Sequence, residues 1–325
     1  MITINFHGVR GSHPVADPQM AFYGGNTSCV EVVKKNRDGM AVPVIIDAGT
    51  GLIKFGYTLG NDILSRRYSP SFPLLFTHLH PDHTEGFNFF APNFLSSCVI
   101  HILGMEVLRK NVGGVLRGNM LPPTFPIEYK DLKSIRRHGI LNDGQVFYIG
   151  HDGNPFFKLS RKDAPLFEIE VMQAFAPSHP QQGALYYRIR DTEEQTSIAC
   201  IWDIESHIGG DVRVIKFAHG ADVMIHDSHY TEEEYLNTAS PVQGFGHSTF
   251  GMAMENAEGA KVRYLIPFHY NPRYNDELLR SINDQYRAYK SPKMLMSREG
   301  LSLTFKNGEL IQEETFPSGF AGAGT

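Results

Sequence analysis

The chain has 325 residues, of which 42% are hydrophobic and 20% are charged, and its formal net charge is -5. These values are typical of a globular enzyme with a sizeable core, and they argue against a strongly basic protein that tracks long nucleic acid. No stretch approaches the ~18 apolar residues of a membrane span. Residues 1–12 lack an apolar run behind a basic leader, so we expect a cytoplasmic protein that does not associate with a membrane.

Short strand-like runs bounded by turn residues recur along the chain, with helical patterns between some of them. The runs include ITINFHG, CVEVV, VPVIIDAG, PLLFTH, CVIHILG, LFEIEVMQAF, ALYYRIR, SIACIWD, ADVMIHD and VRYLIPFH. The helical patterns lie near 51–60, 104–112, 249–260 and 276–290. Because no long linker separates these elements, they predict one α/β domain with a substantial mixed sheet over residues 1–310.

Two stretches differ from this pattern. Residues 113–163 are loose and rich in Gly and Pro, which predicts an insertion or a lid over the core. The chain ends in SGFAGAGT, which can bury little, so we expect residues 311–325 to be a mobile tail. The three cysteines, Cys29, Cys98 and Cys200, lie in apolar runs, which indicates small buried side chains in a reducing compartment.

The stretch THLHPDH follows an apolar run and places four ligand-type side chains within six residues. In an extended segment His78 and His80 share a face, so both can reach one metal ion. Pro81 disfavours helical backbone at His80 and so helps to keep this alternation. Asp82 and His83 fall at the turn into a helix and point elsewhere, where they can hold a second ion. Packing alone does not explain these residues at this spacing.

Two ions need further ligands, and three candidates lie at the ends of other strands, where a rigid sheet edge positions side chains well. His179 follows one strand, Asp203 ends another and His269 ends a third. A carboxylate can bridge two ions, and each set then leaves a position for water or for a substrate oxygen. The two predicted sets are His78, His80, His179 and Asp203 for one ion, and Asp82, His83, Asp203 and His269 for the other.

The HLHPDH motif, with the later histidine, aspartate and histidine, resembles the metallo-β-lactamase superfamily over nearly the whole chain. The resemblance implies a four-layered αβ/βα sandwich. Asp47 in IIDAGTG matches the early aspartate that supports the metal loop in that superfamily, although DAGTG alone is equally a turn before a helix. Histidine and carboxylate ligands without cysteine favour two zinc ions, with manganese and iron as alternatives. The superfamily cleaves lactams, thioesters and phosphodiesters, so the fold does not name the substrate.

The segment with HDSHYTEEEY, GFGHSTFG and LIPFHYNPRY is similar to the phosphodiesterase branch of the superfamily, which includes tRNase Z and hydrolases of cyclic phosphodiesters. In that branch the GHST histidine, paired with an acidic residue, helps to protonate the leaving oxygen. The resemblance implies this role for His247 with Asp227 as its partner, where tRNase Z has a glutamate. We assign catalysis to Asp82, His247 and Asp227. GHST is also a helix start in which Ser248 or Thr249 caps the next run.

Other motifs resemble bacterial proteins of this branch that are described as cyclic-nucleotide phosphodiesterase-like. They are GVRGSHPV, YGGNTSCVEV and SHPQQGALYYRI. Among the candidate substrate contacts, Arg273 lies four residues beyond the ligand His269 and is placed to contact a phosphate. His229 lines the substrate side or packs in the core. Asn26 faces the pocket or belongs to a turn between strands.

A tRNase Z carries an arm that grips tRNA between its third histidine motif and its bridging aspartate. Here those residues are His179 and Asp203, only 24 positions apart, and two predicted strands and a turn fill the interval. The extra length lies between His83 and His179, 96 positions apart, and is apolar and Pro-rich. It favours a pocket cover or a homodimer element over an RNA-binding arm.

We therefore predict a metal-dependent hydrolase that cleaves a small phosphodiester, either a cyclic nucleotide or a dinucleotide-like molecule, by attack of a hydroxide held by two divalent ions. No extended nucleic acid is expected as a partner. Three alternatives stay open on the sequence. A tRNase Z-like RNA endonuclease would use the same groups, a lactonase or thioesterase would have no use for the His247–Asp227 pair, and a non-catalytic protein would bind metal alone.

Overall fold

The computed structural model describes residues 1–160, 163–174, 179 and 183–316. The strands in this part of the chain are β1 (Ile2–Gly8), β2 (Cys29–Lys35), β3 (Ala41–Ile46), β4 (Ser71–Leu75), β5 (Val99–Gly104), β6 (Glu106–Val107), β7 (Lys110–Asn111), β8 (Ile135–Ile140), β9 (Val146–Ile149), β10 (Pro155–Phe156), β11 (Phe167–Ala174), β12 (Ala184–Asp191), β13 (Ser197–Ile201), β14 (Val223–Asp227), β15 (Tyr264–Phe268), β16 (Lys293–Met294), β17 (Leu301–Lys306) and β18 (Glu309–Thr315).

The α-helices of the described residues are α1 (Gly51–Leu64), α2 (Pro81–Thr84), α3 (Val112–Asn119), α4 (Val212–Ala218), α5 (Glu232–Tyr235), α6 (Phe250–Ala260) and α7 (Asp276–Tyr286). Short 3₁₀ helices span Pro18–Met20, Glu85–Phe89, Ala91–Phe94 and Tyr129–Asp131. No helix in the described part of the chain is long and apolar enough to cross a membrane.

Two large sheets contain most of these strands. The first has the order β18-β17-β1-β2-β3-β4-β5-β8, and the second has the order β10-β9-β11-β12-β13-β14-β15-β16. Strands β3, β4, β5 and β8 are parallel in the first sheet, and β13 to β16 are parallel in the second. Parallel neighbours need crossover connections, which include α1 between β3 and β4, α4 between β13 and β14, and α6 between β14 and β15.

The two sheets face each other across one hydrophobic core. In β1 the alternate residues Ile2, Ile4 and Phe6 are buried in this core, because successive side chains of a strand point to opposite faces. Ile225 of β14 and Phe268 of β15 enter the same core from the second sheet. The inner faces of both sheets are therefore apolar and shared.

Helices cover the outer faces of the sheets. Leu52 and Leu59 of α1 pack on the first sheet, while Val214 of α4 and Ala253 and Ala257 of α6 pack on the second. The order of layers is helix, sheet, sheet, helix. The predicted four-layered αβ/βα sandwich is confirmed.

The range 113–163, predicted as an insertion or lid, contributes β8 to the first sheet and β9 and β10 to the second. Strand β8 pairs in parallel with β5, and β9 pairs with β11 in the other sheet. Within the described residues, only 105–134 leave the first sheet between β5 and β8. The helix predicted near 104–112 is wrong, because β5 runs to Gly104 and α3 begins only at Val112, where Asn111 accepts a hydrogen bond from the backbone N–H of Gly114 at 2.9 Å.

The predicted start of the mobile tail at residue 311 lies within a strand. Strand β18 continues to Thr315 and pairs with β17 in an antiparallel hairpin. The reason is the turn between them, where Asn307 and Gly308 have φ values of 50° and 76°. Asn-Gly is the residue pair that two-residue hairpin turns prefer. Residues 317–325 of the predicted tail lie outside the described residues.

Candidate active site

The predicted site residues collect at the carboxyl ends of the parallel strands. Asp47 follows β3, Asp203 follows β13 by two residues, Asp227 ends β14 and His269 follows β15. Asp47, Asp203 and His269 have φ values of 62°, 60° and 64°, so the backbone turns into the left-handed region as it leaves each strand. Asp and His tolerate this region better than most residues. The side chains therefore project at one edge of the two sheets.

The two carboxylate oxygens of Asp203 face two different sets of histidines. Its Oδ1 lies 3.7 Å from Nε2 of His78 and 3.8 Å from Nε2 of His179. Its Oδ2 lies 3.2 Å from Nε2 of His83 and 3.4 Å from Nε2 of His269. This division is the one that a carboxylate bridging two ions requires.

The remaining predicted ligands complete each set. Nδ1 of His80 lies 3.2 Å from Nε2 of His179, on the side of Asp203 Oδ1. Oδ2 of Asp82 lies 3.1 Å from Nε2 of His83 and 3.2 Å from Nε2 of His269. The ligand atoms within each of two groups lie within 4.8 Å of one another, and these groups are His78, His80 and His179, and Asp82, His83 and His269.

Three ligand atoms at the centre of the cluster are buried without a hydrogen-bond partner in the described structure. They are Nε2 of His78, Nε2 of His83 and Oδ2 of Asp203. Buried polar atoms are rarely left unpaired, because desolvation is then uncompensated. A divalent ion bound by nitrogen and oxygen would satisfy all three, so these residues fit a metal centre.

The protonation preferences agree with metal binding. Burial lowers the pKa of His78 and lowers that of His179 to about 4, which keeps both rings in the neutral form that binds metal. Burial also disfavours a charge on His83, but the carboxylates of Asp82 and Asp203 outweigh it and raise the pKa of His83 well above its ordinary value. The carboxylates around His83 Nε2 thus favour a positive charge at this point.

Asp47 supports the ligand cluster through contacts with three residues. It is fully buried and accepts hydrogen bonds from the backbone N–H of Thr77 and from Nε1 of Trp202, each at 2.8 Å. Its Oδ2 also lies 2.8 Å from Nδ1 of His83, which directs Nε2 of that ring toward the cluster. Thr77 and Trp202 directly precede the ligands His78 and Asp203, and sequence reasoning missed both, although their position next to a ligand was a signal.

His247 and Asp227 form a pair beside both ligand sets. Nδ1 of His247 lies 2.9 Å from Oδ2 of Asp227, which also accepts from the backbone N–H of Asp203 at 2.9 Å. Burial opposes a charge on His247, but Asp227 outweighs it and raises the pKa of His247 to about 9. The ring centroid of His247 is 5.7 Å from that of His179 and 5.1 Å from that of His269. The His247–Asp227 pair therefore lies next to both sets of predicted metal ligands.

The three predicted substrate contacts have different surroundings. His229 is buried and stacks on His247 with ring centroids 4.3 Å apart. The side chain of Arg273 is 70% exposed, and its Nη2 lies 3.5 Å from Oε1 of Glu234. The side-chain amide of Asn26 donates a hydrogen bond to Oε2 of Glu299 at 2.9 Å.

Comparison with known proteins identifies the family. No family model matches the chain. The ribonuclease Z of Picrophilus torridus is 36% identical to it over 277 residues, which cover 74% of this chain and 81% of that protein. The chain belongs to the metallo-β-lactamase superfamily, in the phosphodiesterase branch that includes ribonuclease Z.

Solved structures agree on the fold of this metallo-β-lactamase superfamily member. The metallo-β-lactamase fold protein YhfI from Bacillus subtilis has a TM-score of 0.59 and 14% identity, and the match covers 94% of this chain and 100% of that one. A diphosphatase of the PhnP family has a TM-score of 0.58 and 15% identity, covering 94% and 98% of the two chains. The predicted superfamily is confirmed, and the chain is a metallohydrolase of the phosphodiesterase type with a divalent metal site.

The Asp47→Asn variant tests how much the supporting carboxylate contributes to metal binding. The amide cannot accept from all four donor groups around Asp47, because the hydroxyl of Thr77 also donates to it, while Asn tolerates the left-handed backbone. We expect metal affinity to fall by roughly 10–100-fold, the usual effect of losing such a partner. Metal content after dialysis against graded chelator measures it, with Asp38→Asn, an exposed aspartate, as the control. Equal retention of metal by Asp47→Asn and wild type would contradict this role.

Proposed function

We propose that the protein is a dinuclear phosphodiesterase that hydrolyses a small phosphodiester, either a cyclic nucleotide or a dinucleotide-like molecule. The observation that carries this proposal is Asp203, whose two oxygens face separate ligand sets, beside the proton donor His247. His78, His80, His179 and Asp203 would hold one ion, and Asp82, His83, Asp203 and His269 the other. Ligands of nitrogen and oxygen without cysteine favour zinc over manganese or iron.

The groups around the phosphodiester have separate roles in the proposed reaction. When bound, the two ions supply a hydroxide near neutral pH and offset the charge of the phosphoryl oxygens. Asp82 adds a carboxylate to one ligand set and is itself held by the backbone N–H of Ser12, which donates to its Oδ2 at 2.8 Å. Arg273, whose side chain is 70% exposed, would contact a phosphate of the substrate.

His247 supplies the proton for the leaving oxygen. With a pKa raised to about 9, it is an imidazolium at neutral pH. Asp227 accepts from Nδ1 of the ring and is held in turn by the backbone N–H groups of Asp203 and Ser248, which donate at 2.9 and 3.2 Å. The proton on the other ring nitrogen is then available to the departing alkoxide. A lactonase or thioesterase has no comparable need for this pair.

Two features support a small substrate over a large RNA. Between 183 and Asp203 the described chain contains only β12, a turn and β13, so an RNA-gripping arm has no place in this interval. The net charge of -5 also disfavours a broad phosphate-binding surface.

A ribonuclease Z-like RNA endonuclease is the second candidate. It is favoured by the relative at 36% identity, which is a ribonuclease Z. The metal centre and the His247–Asp227 pair serve either substrate equally, since both reactions expel a ribose oxygen from phosphorus. The two candidate functions differ only in the part of the substrate that binds outside the metal centre.

We also propose that the protein works in the cytoplasm. Cys29, Cys98 and Cys200 are free and buried in the structure, as the sequence predicts. Thiols that stay unpaired are typical of a reducing compartment.

Replacing His247 with Ala tests the general acid. We expect turnover of a substrate with a ribose leaving group to fall by ~10²–10⁴, while metal content stays unchanged. The loss should be much smaller with bis(p-nitrophenyl) phosphate, because nitrophenolate leaves without a proton. His219→Ala, which removes an exposed histidine, is the control. Equal losses on the two substrates would exclude a role in leaving-group protonation.

The Asp227→Asn variant tests the origin of the raised pKa of His247. His247 is active while protonated, so turnover falls as pH rises through its pKa, which Asp227 raises to about 9. Removing that carboxylate lowers the pKa of His247, so we expect the basic limb of the pH profile of kcat to move to lower pH. The pH profiles of kcat for wild type and Asp227→Asn, recorded with the same cyclic nucleotide, measure the shift. An unchanged basic limb would mean that another group controls it.

A substrate panel separates the two candidate functions. The full-length holoenzyme is assayed with cyclic mononucleotides, cyclic and linear dinucleotides, and a precursor tRNA with a 3′ trailer. We expect kcat/KM for the best small phosphodiester to exceed that for the precursor by at least about tenfold, a difference of about 1.4 kcal/mol. The reverse order would establish the RNA endonuclease. His247→Ala, assayed in parallel, shows that the activity belongs to this protein.

A further inference from the structure

An exposed loop, residues 237–246, leads from α5 to His247. The side chain of Phe245 in this loop is 58% exposed, while Gly246 at its end is buried. Within the described chain, loop residues other than Gly244 and Gly246 form hydrogen bonds only inside the loop or with α5. A segment with so few outside hydrogen bonds opens easily, so the end next to His247 needs a separate anchor.

The carboxylate of Glu205 is this anchor. Its Oε2 accepts hydrogen bonds from the backbone N–H groups of Gly244 at 2.8 Å and Gly246 at 3.0 Å. Its Oε1 accepts from the hydroxyl of Tyr235 at 2.8 Å and from Gly244. Both glycines have a φ of 87°, a conformation that favours glycine. Glu205 belongs to none of the groups of potential metal ligands in the described residues, so its oxygens serve the loop.

The backbone on each side of Glu205 is itself fixed. The hydroxyl of Ser248 donates to the carbonyl of Ile204 at 2.6 Å and accepts from the backbone N–H of Ser206 at 3.0 Å. The N–H of Ile204 donates to Oδ2 of Asp227 at 3.3 Å. Ile204, Ser206 and Ser248 are all buried. Glu205 therefore reaches the loop from a rigid part of the molecule.

The end of the loop contacts the metal-ligand cluster. The carbonyl oxygen of Gly246 lies 3.2 Å from Nδ1 of His179. A carbonyl only accepts hydrogen bonds, so Nδ1 carries the hydrogen and Nε2 of His179 is left to face Asp203. The next residue is His247, whose ring is held by Asp227. One peptide unit thus carries the partner of a predicted ligand and the backbone of the proposed proton donor.

We propose that Glu205 is a positioning residue, which fixes Gly244 and Gly246 and through them orients both His179 and His247. It acts through these two histidines and does not itself contact the substrate or the ions. The part of the proposal that concerns His247 rests on the proposed function, whereas the part that concerns His179 requires only that this residue binds metal.

Metal retention by Glu205→Ala and Glu205→Gln, measured by dialysis against graded chelator, tests the link to His179. Gln keeps an oxygen for the glycine N–H groups and an amide for the hydroxyl oxygen of Tyr235, but it removes the charge. We expect Glu205→Ala to lower metal affinity by up to about tenfold, less than the loss of a direct partner of a ligand, and Glu205→Gln to stay within about twofold of wild type.

The control for metal retention is Glu233→Ala, which removes an exposed glutamate of α5 and should retain metal as wild type does. Thermal unfolding of each variant shows that the compared proteins are folded. Wild-type retention by Glu205→Ala would overturn the link to His179. A loss in Glu205→Gln as large as in Glu205→Ala would show that Glu205 acts by its charge, which would also overturn a positioning role.

A double-mutant cycle with His247→Ala tests the second link. With saturating metal and a substrate that has a ribose leaving group, we expect Glu205→Ala to lower kcat by about tenfold and to leave KM unchanged, because proton donation acts only in the transition state. Adding Glu205→Ala to His247→Ala should lower kcat by less than about twofold further, since both changes act on the same group. Fully additive losses would overturn this link.

The cycle also separates this inference from the proposed function. If His247→Ala alone keeps wild-type turnover, the general acid fails, and the link between Glu205 and His247 fails with it. If His247→Ala loses turnover while Glu205→Ala keeps wild-type turnover, the general acid stands and only the positioning of His247 by Glu205 is overturned.

Discussion

The carboxylate of Asp203 lies between the two sets of predicted metal ligands. One oxygen faces histidines that belong to the first ligand set, and the other faces the second set. Carboxylates and imidazoles packed this closely in a buried site favour the binding of a cation, because their polar atoms otherwise lack hydrogen-bond partners. The rest of the site is arranged around this requirement, from Asp47 behind the cluster to Asp227 at its side.

The sandwich supplies ligands from both sheets to one edge. Each parallel strand ends near the same line, so a short turn after each strand suffices to present a side chain. The first sheet contributes the histidines that follow β4, and the second contributes Asp203 and His269 after β13 and β15. The shared apolar core fixes the distance between the sheets, and it thereby holds together the ligands that each set draws from both sheets.

Much of this arrangement could be predicted from the sequence, because strand ends and ligand-type residues are local features. HLHPDH, Asp203 and His269 each follow an apolar run, and the strand alternation separates His78 and His80 from Asp82 and His83. The sequence does not reveal contacts between residues that are far apart in the chain. The hydrogen bonds that Trp202 and Thr77 donate to Asp47 were therefore missed. The hydrogen bond from Asn26 to Glu299 was missed for the same reason, because the two residues are 273 positions apart.

The left-handed backbone at Asp47, Asp203 and His269 has a consequence for how this site can evolve. Residue types that accept such a backbone at little cost, chiefly Gly, Asn, Asp and His, include the two that bind divalent metals best here. A β-branched replacement would lose the ligand and also distort the turn. Exchange of His269 for Asp would keep the turn and alter the charge delivered to the ions, whereas Asp203 has to remain a carboxylate to face both ligand sets. At His269 the ligand charge can therefore change without rebuilding the strands.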